Sequence, residues 1–151
     1  MDIEQTIKSI HKMAITTKTV INMMYTSRFI EDAVTGVLKP YDLTIQQYNV
    51  LRILRGQKGK PANLSTIQER MIDKSSNTTR LVDKLIKKGW VKRSVCEQNR
   101  RKVEIIITNK GLEILKELDP LTEQNNENVL KNLSEEQLVT LNNLLDTLRT
   151  T

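Results

Sequence analysis

Residues 75–107 read SSNTTRLVDKLIKKGWVKRSVCEQNRRKVEIII. The first half carries Leu81, Val82, Leu85 and Ile86 at helical spacing, with Gly89 placed to end that helix as a C-cap. The second half alternates, Val91, Arg93 and Val95 against Val103, Ile105 and Ile107, and β-branched residues dominate both runs. A helix thus leads directly into a β-hairpin whose polar segment, CEQNRRK, carries two adjacent arginines, Arg100 and Arg101.

Upstream, Asn63 is an N-cap for LSTIQERM, and a break at Ile72 to Lys74 separates that short helix from the one above. Thr44 with Gln47 forms a capping box for a helix whose apolar face is Val50, Leu51 and Leu54, and GQKGKPAN after it is a loop. The first forty residues are mostly helical in pattern (Ile3, Ile7, Ile10, then Ile21, Met24, Val34, Val37, Leu38), closed by Gly36 and Pro40. Downstream, Thr108 caps a long helix in which Pro120 predicts a kink or a break. Ser134 with Gln137 opens a last helix bearing Leu138, Leu141, Leu144, Leu145 and Leu148. The order predicts a mainly α fold with a small β-hairpin wing, a winged helix-turn-helix. We expect a single domain over 1–151, with a winged helix-turn-helix lobe at 44–110 and a helical dimerisation lobe at 1–38 and 111–150.

A chain of 151 residues holds one core rather than two. Aromatics at 3% argue against a binding surface of stacked rings, and a single cysteine, Cys96, excludes an intrachain disulfide. The apolar runs fall short of a membrane span, and MDIEQTIKSIHK lacks the basic-then-apolar order of a signal peptide, so the expected location is cytoplasmic with no membrane partner. His11 as sole histidine and one cysteine give no credible metal site. There is no glycine-rich phosphate loop and no paired nucleophile and base, so neither a cofactor nor catalysis is expected.

Charge is distributed unevenly. Between Arg55 and Lys110 lie 15 Lys/Arg and 5 Asp/Glu, against 9 and 13 elsewhere, although the whole chain is only +6. A cationic middle on a mildly acidic scaffold points to a polyanion, and it coincides with the predicted winged helix. Double-stranded DNA is the partner this combination implies. The second helix of the motif enters the major groove N-terminus first, which nominates Ser75, Ser76, Asn77, Thr79 and Arg80. Ser75 and Ser76 can alternatively cap that helix with Asp73, and Lys84, Lys87 and Lys88 are placed for phosphate or solvent rather than bases.

Three segments, YDLTIQQYNVLRIL, TTRLVDKLIKKGWVKR and NRRKVEIIITNKG, occur in this order. Together they resemble the MarR family of bacterial transcriptional regulators, being similar to its "GLT-x-x-Q-x-x-x-L" helix, its recognition helix and strand entry, and its "DRR…LT-x-x-G" wing. The resemblance implies a homodimer built by terminal helices, a palindromic operator and repression more than activation. It implies that Arg101 enters the minor groove beside Arg100, as a flat guanidinium suits that narrow, electronegative space. The family braces this arginine with an aspartate where this chain has Asn99, leaving Glu97 and Glu104 as substitutes. It also implies a cleft for a small aromatic or anionic effector, for which Met24, Arg28 and Tyr48 are the candidates, with plain core packing as the alternative. Cys96 near Arg93, Arg100 and Arg101 is a candidate redox sensor, although the family's peroxide sensors place that cysteine near the N-terminal helix. Two other readings stay open: an architectural DNA binder without sequence choice or effector, and a module whose basic wing meets an acidic protein.

Overall fold

Helix starts leave backbone N–H groups without partners, and this chain answers with side-chain caps. In the computed structural model, which describes the backbone of residues 1–151 and all side chains except those of Cys96, Arg100 and Arg101, Asp2 caps α1 (Ile3–Thr6). The following helix, α2 (Ile15–Leu38), has no side-chain cap. Thr44 and Gln47 close a capping box on α3 (Ile45–Gly56), as their spacing predicts. Asn63 caps α4 (Leu64–Arg70), and Asn77, rather than either preceding serine, caps α5 (Thr78–Lys87). Thr108 opens α6 (Asn109–Leu130), and Ser134 with Gln137 opens α7 (Glu135–Leu148).

Between α5 and α6 the chain forms β1 (Val91–Cys96) and β2 (Asn99–Ile107), paired antiparallel with Val91 opposite Ile107 and Val95 opposite Val103. The predicted alternation is therefore the observed register. The pairing shifts between Val95 and Cys96, where the ribbon approaches its tip. Ala62, just before α4, bridges Ile105 through two backbone hydrogen bonds of 2.8 and 2.7 Å. That third, one-residue strand ties the base of the wing to α4.

One apolar core spans the lobes. Val50, Leu51 and Leu54 of α3, Ile67 of α4, Val82 and Leu85 of α5, and Ile105 of β2 pack with Leu38 of α2 and Leu115 and Leu118 of α6. Each such side chain contributes roughly 1.5–3 kcal/mol on burial, so α5 rests on a rigid base. The close fit is sharpest at Gly111, where a β-carbon would lie 2.3 Å from the Trp90 carbonyl oxygen and 2.7 Å from Ile107 Cγ1. Gly89 ends α5 with a φ of 76°, a conformation that L side chains rarely adopt.

Two expectations meet the structure differently. Of the kink or break expected at Pro120, the break does not occur, and helix α6 runs through it. Proline removes one backbone donor, while burial of Leu115 and Leu118 and contacts from Asp119 and Thr122 to α3 hold the turns on either side. Second, Ile3, Ile7 and Ile10 do not form a single helical stripe. The first helix stops at Thr6, so Ile3 is buried while Ile10 lies outside it and is exposed.

Helix α7 buries none of its described residues, and Val139, Leu144 and Leu148 are exposed. Its leucine row, legible in sequence, thus has little to pack on within one chain. Among the described residues, no helix is long and apolar enough to cross a membrane.

Candidate nucleic-acid interface

The turn from α4 to α5 sets the direction of α5, and side chains from two neighbouring helices hold it. Asn49 of α3 accepts the backbone N–H of Ile72 at 2.8 Å. Gln68 of α4 donates to the Lys74 carbonyl at 2.9 Å and accepts the Thr78 hydroxyl at the start of α5. Within the turn, Asp73 accepts both the Ser75 hydroxyl (2.6 Å) and the Ser75 backbone N–H (2.9 Å). Those two hydrogen bonds favour the ionised form and hold the Asp73 carboxyl below the usual carboxylate range. Neither Asn49 nor Gln68 announces itself in sequence, because both partners are distant along the chain.

The nominated residues divide accordingly. Ser75 lies in the turn, bonded to Asp73. The Ser76 hydroxyl oxygen is enclosed, with no hydrogen-bond partner among the described residues, so it is not offered to a ligand on the surface. Asn77 is exposed, and its side-chain oxygen accepts the Arg80 N–H at 3.1 Å as the cap. Thr79, Arg80 and Lys84 are exposed on α5 together with Asp83 and Lys87, all within an arc of about 140° at 3.6 residues per turn. The opposite side of α5 buries Thr78, Val82 and Leu85. Arg93 of β1 reaches across to α5 and pairs with Asp83 at 3.3 Å. Arg100 and Arg101 fall on β2 near the wing tip; their side chains, and that of Cys96, lie outside the described residues.

A cleft of about 1080 Å³ lies between α2, α3, α6 and α7. Ile15, Met23, Ile30 and Val34 supply apolar wall, and Tyr48, Arg52 and Arg55 line the α3 side. There the Arg55 guanidinium pairs with Asp119 at 2.8 Å, and the Tyr48 hydroxyl lies 3.4 Å from that of Thr122. Arg52 stands over the Tyr48 ring at 5.8 Å. Of the three effector candidates only Tyr48 lines this space; the structure does not bring Met24 and Arg28 to it. Met23 faces the cleft, so Met24, about 100° further round the helix, is turned from it and 69% exposed. Arg28, one turn later on that side, pairs with Glu31 (3.8 Å) and Asp32 (3.5 Å) and borders a separate polar groove beside the turn. Asn49 and Ile72 border both spaces. Among the described residues no cluster of His, Cys, Asp or Glu can hold a metal ion.

Comparison with known proteins places this geometry. The MarR family model matches residues 43–103, from the start of α3 into β2 of the wing. The HTH-type transcriptional regulator PecS of Dickeya dadantii is 32% identical over 122 residues, covering 79% of this chain and 72% of PecS. A mutant MarR from Escherichia coli, solved in complex with operator DNA, superposes with a TM-score of 0.77 at 23% identity, over 99% of this chain and 100% of that one. BpsR of Bordetella bronchiseptica, whose structure concerns regulation of DNA binding by 6-hydroxynicotinic acid, gives a TM-score of 0.80 at 19% identity, over 93% and 99%. At these identities, the likeness to the two structures is one of fold.

Proposed function

The chain belongs to the MarR family of transcriptional regulators, which are not enzymes, and from that premise we propose that it represses transcription by binding a palindromic operator as a homodimer. The observation that carries the reading is the exposed face of α5, where Thr79, Arg80, Lys84 and Lys87 stand together on a helix whose other side is anchored in the core. Arg80 is the base reader, Asn77 and Thr79 contact bases or phosphate from the helix start, and Lys84 meets phosphate. Arg100 and Arg101 enter the adjoining minor groove from the wing.

Homodimerisation is supported by the apolar surface left open on α7 and on the N-terminal segment, where Ile10, Ile15, Val139, Leu144 and Leu148 are exposed. A two-fold axis would set two reading helices about 34 Å apart, one helical turn of DNA. A small aromatic or anionic effector is the occupant we propose for the cleft between α2, α3, α6 and α7, where Tyr48 offers a ring and Arg52 a cation, Arg55 being paired with Asp119. Its binding would change the separation of the reading helices, releasing the operator in the cytoplasm.

Selection of bound duplexes from a random pool tests the reading. A palindromic consensus with half-sites one turn apart is expected. Recovery without any consensus favours an architectural DNA binder, and no recovery of DNA overturns the reading.

A further inference from the structure

The exposed face of α5 contains one acidic residue. Asp83 lies on the same helical arc as Thr79, Arg80 and Lys87, in a surface that must otherwise attract phosphate. It is not there for the core: its side chain is half exposed and so is that of its partner, Arg93, 3.3 Å away on β1. An ion pair so open to solvent contributes little to stability. A carboxylate in the middle of a polyanion-binding face therefore calls for a role in binding.

We propose that Asp83 determines sequence specificity by accepting a hydrogen bond from the exocyclic amino group of a base, with cytosine N4 as the preferred donor, while Arg93 holds the carboxylate in place. This deepens the DNA-binding reading of α5 and rests on it. A carboxylate only accepts hydrogen bonds, so it rewards an amino edge and is repelled by guanine O6 and N7, by thymine O4 and by phosphate oxygens. Arg93 bonds to one carboxylate oxygen, Oδ1, and the carboxylate retains further acceptor capacity. Arg80, Lys84 and Lys87 attract any DNA, whereas Asp83 penalises each register in which no amino group faces it. Affinity and discrimination are thus carried by different side chains on one helix face.

The test uses the full chain with Asp83→Ala and the isosteric Asp83→Asn. Affinity is measured for the selected operator, for that operator with each base pair substituted in turn, and for a random duplex. Loss of one negative charge should raise random-duplex affinity by roughly three- to tenfold. Asp83→Ala should lower the operator-to-random ratio by about tenfold or more and make one base pair in each half-site insensitive to substitution. Thermal midpoints close to that of the parent chain confirm that both variants fold. An unchanged ratio and base-pair profile, with affinity shifting equally for every duplex, would overturn the proposal. A parent chain that binds no DNA at all would instead overturn the DNA-binding reading, and the proposal with it.

Discussion

The Asn49 side-chain oxygen accepts the backbone N–H of Ile72 at 2.8 Å, so a residue that borders the cleft also holds the turn that aims α5. Ile72 itself is 84% exposed and borders the same cleft. One hydrogen bond thus separates the lining of the cleft from the turn before α5.

Replacing Asn49 with alanine removes the acceptor and frees the turn, at a net cost of about 1 kcal/mol for one hydrogen bond. The expected result is a roughly fivefold weaker operator affinity, since about 1 kcal/mol corresponds to that factor, with a small change in thermal midpoint. Fluorescence anisotropy titration of a labelled operator measures it. An affinity equal to that of the parent chain would show that the turn is held without Asn49.

At the wing, Arg101→Ala should weaken operator binding by roughly tenfold or more, and the slope of log affinity against log salt should flatten by about one counterion. The same titration at several salt concentrations gives both quantities. Equal affinity and equal slope for variant and parent would remove the wing arginine from the interface.

Gly111→Ala tests the packing beneath the wing. A β-carbon 2.3 Å from the Trp90 carbonyl oxygen forces the start of α6 away from β1, an overpacking cost of roughly 1–3 kcal/mol. At about 2–4 °C per kcal/mol for a chain of this size, the thermal midpoint should fall by roughly 2–12 °C. Trp90 is the only tryptophan, so its fluorescence reports this junction directly. A midpoint at or above the parent value would contradict the close approach.

The turn also predicts an acid response. The Asp73 carboxyl is held below its usual range, first by the Ser75 hydroxyl and then by the Ser75 backbone N–H. A depressed folded-state value means that the carboxylate stabilises the turn at neutral pH. That stabilisation is present above the ordinary carboxylate value and is lost as pH falls through the depressed one. Carbon-detected NMR titration should place the Asp73 midpoint below that of an unstructured aspartate, and Ser75→Ala should move it upwards. An Asp73 midpoint unmoved by that substitution would show that the Ser75 hydroxyl does not set it.

Local chemistry was legible in the chain, and rotation and long-range pairing were not. Thr44 with Gln47, Asn63, Thr108 and Ser134 with Gln137 act within a turn of their own helices, so the caps follow from spacing alone. The wing register follows from alternating β-branched residues on both strands. Helix α2 is different, because it carries apolar residues on more than one side: Met24, Tyr25 and Phe29 are exposed while Met23 and Ile30 line the cleft. Periodicity cannot choose a face on such a helix, and the structure leaves Met24 and Arg28 outside the cleft that Tyr48 lines. The bridge from Ala62 to Ile105 and the grip of Gln68 on Thr78 are single contacts without a repeating pattern, and left no trace in the sequence.

Footprinting across the genome of the source cell tests sequence-specific binding to double-stranded DNA. Protection is expected at a small number of palindromic sites near promoters, each with two half-sites one helical turn apart. Protection spread evenly over the genome, or no protected DNA at all, would contradict it.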